Sequence, residues 1–288
     1  RFDIPVVGIT GSNGKTIVKE WIYQLLSPSE TVTRSPRSYN SQIGVPLSVW
    51  LLNEHSRVAL FEAGISRPGE MSALRHIIRP TLGVLTNIGA AHEANFATPD
   101  EKCMEKLKLF KHTAALIYCV DDPLIDRCLD ASHYAGRRIG WSRRSPQAAF
   151  YAEVIPTAEH TATVGSTPDT THNATHIRLH DRDGQRIVAF DIPFDDEASI
   201  ENAIHTAMVG LELHLTPTQI GERMPHLTPV AMRLEVKQGV RGLTLIDDAY
   251  NSDLTSLDIA LDFLARRKEP HHRSVLVLSD FQQSGIDT

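Results

Sequence analysis

The sequence predicts an α/β fold built on a mainly parallel sheet. Three observations predict it: short apolar runs recur along the first half, amphipathic stretches with helical spacing separate them, and a Gly-rich turn joins the first run to the first amphipathic stretch. Residues 5–10 read as a buried strand. Residues 16–26 follow as a helix, with Ile17, Trp21, Ile22, Leu25 and Leu26 on one face. Residues 58–61 form a second strand ending at Glu62. A helix over 70–78 is closed by Pro80, and residues 82–86 form a third strand. A helix over 100–111 opens near Thr98 or Asp100, and residues 114–120 form a fourth strand.

The texture changes near residue 146. Residues 150–155, 176–180 and 187–192 read as short strands, with Asp183-Gly184 as a hairpin turn and a polar loop over 157–175. This predicts a small antiparallel β insertion at about 147–195. Helix returns at 197–213. A further helix has Thr216 as cap, Pro217 at its first position and Gln219 completing a capping box. Residues 225–229 read as a linker. A strand at 243–247, a helix at 254–267 and a strand at 274–278 then make one βαβ unit. The expected organisation is a central domain over 1–228 and the start of a second α/β domain over 229–288. Arg1 stands just before a strand and Thr288 just after one, which predicts a fragment cut at both ends.

With 288 residues, 41% of them apolar, the chain has material for a large core. A net charge of -6 gives no basic footprint for nucleic acid, so any anion must be held by a local site. Cys103, Cys119 and Cys128 are odd in number, widely spaced and without a CxxC pair, which argues for a reducing compartment. The apolar runs are too short to span a bilayer, and no charged-then-apolar leader opens the chain, so cytoplasm is expected. His160, His172 and His176 lie in polar sequence and the His271-His272 pair in a charged turn; they read as solvated loop histidines rather than zinc ligands.

The chemistry begins at Gly8-Ile9-Thr10-Gly11-Ser12-Asn13-Gly14-Lys15-Thr16, between a predicted strand and a predicted helix. Glycines let several N–H groups converge on one anion, and the helix dipole adds partial positive charge there. In this setting Lys15 bridges terminal phosphates and the Thr16 hydroxyl takes one position on Mg²⁺. The common phosphate-loop pattern has Gly where Ile9 stands, so the loop is a related but distinct type. Ligands of open α/β sheets bind beyond the carboxyl ends of strands. Glu62 ends one strand, and His92 follows another in Thr86-Asn87-Ile88-Gly89-Ala90-Ala91-His92, so both are expected on the edge that carries the phosphate loop, as magnesium ligands. Taken alone, Glu62 also fits a helix-capping acid and His92 a loop histidine. Lys102, Lys106, Lys108 and Lys111 read as one solvated basic helix face.

Together these motifs resemble the Mur ligase family, which builds the peptide of the bacterial cell wall and shares its central domain with folylpolyglutamate synthases. Gly11-Ser12-Asn13-Gly14-Lys15-Thr16 matches the family's phosphate loop, including its unusual spacing. The resemblance implies that Glu62 and His92 support two magnesium ions beside ATP. It implies that Lys106 is the lysine several members carry as a carbamate, although Leu107-Lys108-Leu109-Phe110 stands where the family usually has Gly-Glu-hydrophobic-Phe. Asn202, in Glu201-Asn202, matches an asparagine that reads adenine. Arg233 resembles the arginine that reaches the ATP phosphates. Asp248, Tyr250 and Asn251, in Asp247-Asp248-Ala249-Tyr250-Asn251, resemble a nucleotide-contacting segment of the third domain. Asn40 and Ser41 are expected near the phosphates or substrate.

Within the family, Thr16-Ile17-Val18-Lys19-Glu20, Asn40-Ser41-Gln42-Ile43-Gly44-Val45-Pro46 and Glu62-Ala63-Gly64-Ile65-Ser66-Arg67-Pro68-Gly69-Glu70-Met71 resemble the branch that adds D-alanyl-D-alanine to UDP-N-acetylmuramoyl-tripeptide. Leu278-Ser279-Asp280-Phe281-Gln282-Gln283-Ser284-Gly285 resembles the ligase half of ligase–alanine racemase fusions. The resemblance further implies that the family's UDP-gripping first domain is absent and its third domain truncated. The implied reaction passes the γ-phosphoryl group of ATP to a carboxylate, and an amine then attacks the acyl phosphate. Lys15, Arg233 and magnesium neutralise charge, while closure of the third domain excludes water. Rival readings are another Mur or folate-type ligase, a phosphate-loop NTPase, and a nucleotide-binding module without turnover.

Overall fold

The computed structural model describes residues 2–89, 95–156, 174–250, 254–267 and 273–278. Strands β1 (Val6–Thr10), β3 (Val58–Glu62) and β4 (Leu82–Leu85) are buried along their whole length. Strands covered on both faces read as continuous apolar runs, and these three do. Between and around them run α1 (Lys15–Leu26), β2 (Val32–Arg34), α2 (Gly44–Val49) and α3 (Glu70–Ile78). Then come α4 (Pro99–Leu107), β5 (Ala115–Cys119), α5 (Pro123–Ala131) and β6 (Arg137–Ser142). Strands β7 (Phe150–Pro156), β8 (Thr175–Asp181) and β9 (Arg186–Ile192) precede α6 (Glu197–Glu212) and α7 (Pro217–Arg223). The described chain closes with β10 (Glu235–Gln238), β11 (Thr244–Asp247) and α8 (Leu254–Arg267).

Nine strands form one sheet in the order β2-β3-β1-β4-β5-β6-β7-β8-β9. β2 through β7 run parallel, and β1 pairs with β3 on one side and β4 on the other. The strand order therefore reverses direction at β1, which makes its carboxyl end the topological switch point where ligands of such sheets bind. Alternate residues feed two cores. Val7, Ile9, Leu60 and Val84 pack with Trp21, Leu25 and the buried face of α6. Val6, Phe61 and Leu85 pack with Met71, Leu74, Phe110 and Leu129 on the opposite face.

Two expectations need correction, and the predicted β insertion proves continuous with the main sheet. The antiparallel insertion forms as β7, β8 and β9 and extends the main sheet: β7 pairs in parallel with β6 at Trp141↔Phe150 and Ser142↔Tyr151, and the β7–β8 and β8–β9 pairs are antiparallel. β6 is the missing link. It opens on Arg137-Arg138 and so does not read as an apolar run. The predicted βαβ unit is not formed among the described residues. β11 pairs antiparallel with β10 from Glu235↔Asp247 to Gln238↔Thr244, in a two-stranded sheet of its own. Residues 273–278 carry no strand, and Val275 and Val277 are 77% and 90% exposed. An apolar run becomes a strand only where another edge takes up its N–H and C=O groups.

The second correction concerns the helix expected to run to Lys111. α4 stops at Leu107 and tightens into a 3₁₀ turn over Lys108–Phe110, which buries Leu109 and Phe110. Its start is as read: Thr98 accepts a hydrogen bond from the Glu101 N–H, with Pro99 in the first turn. The Thr216–Gln219 capping box at α7 also forms in full.

Candidate nucleotide and metal site

The loop between β1 and α1 takes a shape that side chains resist. Gly11 and Gly14 have φ of +149° and +81°. A β-carbon on Gly11 would collide with the Thr86 hydroxyl, and one on Gly14 with the Asn202 amide. Both glycines are therefore required by backbone conformation and by space. Gly14 caps α1 without any side-chain cap. The start of α1 thus stands at the switch point with no side-chain cap, where the helix dipole favours an anion.

The loop is pinned from the chain that leaves β4. Asn87 accepts from Ser12 N through its carbonyl at 2.9 Å and from Asn13 N through Oδ1 at 2.9 Å. The Thr86 hydroxyl donates to the Asn13 carbonyl at 2.6 Å, and Gly89 N donates to Ser12 Oγ at 2.8 Å. His205 on α6 holds this strand end in turn. It is fully buried, with Nε2 3.3 Å from the Thr86 carbonyl and Nδ1 3.3 Å from the Trp141 indole nitrogen. Desolvation pushes its pKa down to about 4, opposed by the Thr86 carbonyl, so the ring is neutral. Nε2 then donates to Thr86 and Nδ1 accepts from Trp141.

Lysines surround the loop. Lys15 Nζ donates to the carbonyls of Gly11 at 2.9 Å and Ser12 at 2.7 Å. Lys106, from α4, also donates to the Gly11 carbonyl at 2.9 Å, and Lys102 donates to the Gly89 carbonyl. The basic face read as solvated is thus split. Lys102 and Lys106 are buried, whereas Lys108 and Lys111 are exposed. Burial pushes the Lys106 pKa well below the ordinary lysine range, and the charges of Lys15 and Lys102 push the same way.

Glu62, at the end of β3, is fully buried. Its Oε2 accepts from the Thr16 hydroxyl at 3.0 Å, and Thr16 Oγ1 lies 2.9 Å from Ser38 Oγ. Its Oε1 accepts no hydrogen bond, although Lys19 Nζ lies 2.9 Å away as an ionic neighbour. A buried carboxylate whose Oε2 meets a hydroxyl at the end of a phosphate loop is a hard-oxygen donor set that suits magnesium. Among the described residues no group of three or more His, Cys, Asp and Glu side chains converges on one point. That pattern fits an ion that takes its remaining positions from phosphate and water.

A cavity of about 320 Å³ opens beside the loop, lined by Lys15, Asn40, Ser41, Gly64, Ser66 and Lys106 among others. Asn40 is fixed there by Gly64, whose N–H donates to its carbonyl at 2.8 Å. The structure thus brings Gly11, Ser12, Asn13, Gly14, Lys15, Thr16, Asn40, Ser41, Glu62, Lys106 and Asn202 to one edge of the sheet. His92 and Asn251 lie outside the described residues, as do His160, His172, His271 and His272. His176 pairs with Asp191 at 2.7 Å, on the antiparallel edge. Glu201 faces a second cavity, of about 380 Å³, together with Asp121, Arg143 and Tyr151, and burial pushes its pKa up.

Arg233 approaches from the chain between α7 and β10. Its flanking residues Met232 and Leu234 both have positive φ, +60° and +50°, which is strained for side chains of that size. The loop is held by Glu235, which accepts from Met232 N at 3.0 Å, and by Asp248, which accepts from Leu234 N at 3.2 Å. The guanidinium lies 4.0 Å from the Tyr250 ring centroid. Burial lowers its pKa, while the negative charge of Glu62 acts to raise it.

Sequence reading passed over Lys19, Ser38, Thr86 and His205. Lys19 meets Ser35 across 16 residues, and the partners of Ser38, Thr86 and His205 lie 22, 73 and 119 residues away along the chain, so no local pattern marks them.

Residues 9–209 match the family model for the Mur ligase middle domain. The chain belongs to the Mur ligase middle-domain family. It is 28% identical to the UDP-N-acetylmuramoyl-tripeptide–D-alanyl-D-alanine ligase of Bacillus subtilis over 97% of this chain and 57% of that protein. It thus spans little more than half the length of the curated relatives it matches. Among solved structures it resembles MurF from Acinetobacter baumannii, with a TM-score of 0.78 and 23% identity over 92% of this chain and 55% of that one. It also resembles the MurF ligase of Thermotoga maritima in complex with ADP, with a TM-score of 0.72 and 23% identity over 92% of this chain and 58% of that one. At those identities the likeness to the Mur ligase structures is one of fold. Among the described residues no helix is long and apolar enough to cross a membrane.

Proposed function

We propose that this chain carries the ATP-binding part of a ligase that joins D-alanyl-D-alanine to UDP-N-acetylmuramoyl-tripeptide through an acyl phosphate. The curated relatives bear that activity in their names, and one neighbouring structure holds ADP. The observation that carries the reading is the cavity beside the phosphate loop, lined by Lys15, Lys106, Asn40 and Ser41, with the Thr16–Glu62 pair where that loop enters α1. Lys15 and Lys106 on the cavity wall suit the approach of a carboxylate to a triphosphate.

Each side chain then has a task. Lys15, held at the loop's mouth, offsets charge on the terminal phosphates, and Arg233 adds a second cation from the other side. Asn202 lies against Gly14, where it can meet the nucleotide. Thr16 and Glu62 would hold magnesium, with His92 for a second ion; when bound, magnesium neutralises phosphate charge. Lys106 is buried and shifted toward its neutral form, which is the form that takes up carbon dioxide, so a carbamate there would supply an anionic oxygen ligand. Asp248 supports the Arg233 loop, and Tyr250 supports its guanidinium. Asn251 is proposed to share the nucleotide contact. The proposed setting is the cytoplasm. The segment from Leu278 to Gly285 supports a further proposal, an alanine racemase following in the same polypeptide.

The test is phosphate release by the full chain, with each UDP-muramoyl peptide offered against each candidate amine. The expected result is release that requires both the tripeptide carboxylate and D-alanyl-D-alanine. Release with neither partner present would replace the ligase by an NTPase, and release with a different amine would move the chain to another branch of the family.

A further inference from the structure

Helix α1 turns one charged side chain into the interior. Lys19 lies among Val18, Trp21 and Ile22 and is fully buried. Its ammonium is ringed by oxygen. It donates to the carbonyls of Ser35 at 2.8 Å and of Arg37. It also lies 3.0 Å from Glu20 Oε1 and 2.9 Å from Glu62 Oε1. An ammonium taken out of water is costly unless carboxylates and carbonyls compensate it. Here the compensation ties together α1, the end of β3 and the segment that leads to Asn40.

The two oxygens of Glu62 are in different hands. Oε2 takes the hydrogen bond of Thr16, the residue that ends the phosphate loop and stands in the first turn of α1. Oε1 is met by Lys19 away from hydrogen-bonding geometry, as a purely ionic contact. The ammonium cannot withdraw, because it is enclosed by protein and anchored by two backbone carbonyls.

We infer that Lys19 is a positioning residue that limits Glu62 to ligation through one oxygen, and so biases the site toward magnesium over calcium. The inference rests on the reading of Glu62 as a metal ligand. Calcium takes about six to eight oxygens and readily accepts both oxygens of a carboxylate, whereas magnesium demands a tight octahedron completed by water and phosphate. Calcium chelated by both oxygens of Glu62 would share Oε1 with a fixed ammonium, and like charges repel strongly where water is excluded. Magnesium ligated through Oε2, beside Thr16, avoids that conflict.

Calorimetric titration of the full chain with ADP in magnesium, in calcium and in chelator tests this, with thermal unfolding measured alongside. Wild type is expected to bind ADP about tenfold more tightly with magnesium than with calcium, and Lys19→Met to bring that ratio below about threefold, mainly by a gain with calcium. Loss of a nearby positive charge alone would strengthen both ions alike and leave the ratio in place. A purely structural defect would weaken ADP binding in step with and without metal. Lys19→Met strips Glu62 of its partner and lowers stability. Lys19→Gln, whose amide still donates to the Ser35 carbonyl, therefore serves as the second variant, with the same expected ratio. A wild-type ratio retained in the variants overturns the role of Lys19 and leaves the metal site standing. ADP binding by wild type that is indifferent to both ions overturns the metal reading of Glu62, and this inference with it.

Discussion

The Nζ atom of Lys106 lies 2.9 Å from the carbonyl oxygen of Gly11, across 95 residues of sequence, and both residues are buried. An amine so placed, with the charges of Lys15 and Lys102 pressing on it, spends more time neutral than an ordinary lysine. Lys106→Ala should lose phosphate release by about two orders of magnitude, the scale of losing one preorganised charge-stabilising group. Short carboxylic acids should restore part of it if the working group is a carbamate. Full activity in the alanine variant would remove Lys106 from the site.

Gly14→Ala tests the loop itself. The new β-carbon meets the Asn202 amide and imposes a side chain on a left-handed residue. The expected cost is about 1–3 kcal/mol of folding stability, read as a lowered unfolding midpoint, together with loss of ADP binding. Adding Asn202→Ala should recover part of the stability, because it relieves the collision and leaves the backbone strain. A Gly14→Ala variant that binds ADP normally would show that the loop does not seat phosphate.

Much of this edge was legible before any coordinates. A phosphate loop has to follow a strand and open a helix, so Gly11–Thr16 located β1 and α1, and the parallel rule then put the ends of β3 and β4 beside them. What sequence left unread falls into two kinds. Some elements carry weak local signals: β6 opens on Arg137-Arg138, and α2 has Pro46 inside it. The start of α5 was readable in principle, since Asp122 caps it by accepting from Leu124 N and Pro123 takes the first position. The other kind is side chains whose meaning lies in distant partners. Lys102 reads as part of a solvated face because four lysines lie on or just after α4, and only packing decides which two face the loop. Val275 and its neighbours show the converse, an apolar run with strand character and no strand beside it among the described residues.

His205 sets a pH dependence. Its folded pKa of about 4 lies below the ordinary 6.5, and desolvation is the leading cause, with no charged side chain contributing. A depressed histidine favours the folded state fully above pH 6.5, and that contribution is lost as pH falls toward 4, because the unfolded chain then binds the extra proton. The slope approaches about 1.4 kcal/mol per pH unit in that window. Urea unfolding at pH 7, 6 and 5 should therefore show a steeper decline for wild type than for His205→Gln. Equal slopes would mean that the ring is protonated in the folded protein.

Arg233 gives the sharpest test of the nucleotide reading. Two residues with left-handed backbone flank it, and Glu235 and Asp248 spend carboxylate oxygens on holding the N–H groups of Met232 and Leu234. Strain of this kind persists only where surrounding contacts enforce it. Here the enforced outcome is a guanidinium stacked on Tyr250 and within the field of Glu62. Arg233→Ala should lower kcat about a hundredfold with a smaller rise in KM, because the charge matters most when phosphoryl transfer is under way. Arg233→Lys should recover only part, since an ammonium keeps the charge but loses the planar fork and the stack. Tyr250→Leu should raise the KM for ATP by about fivefold, the scale of one partly exposed cation–π contact. If Arg233→Ala changes KM alone, the arginine binds nucleotide without serving the transfer step, and the strain around it has another cause.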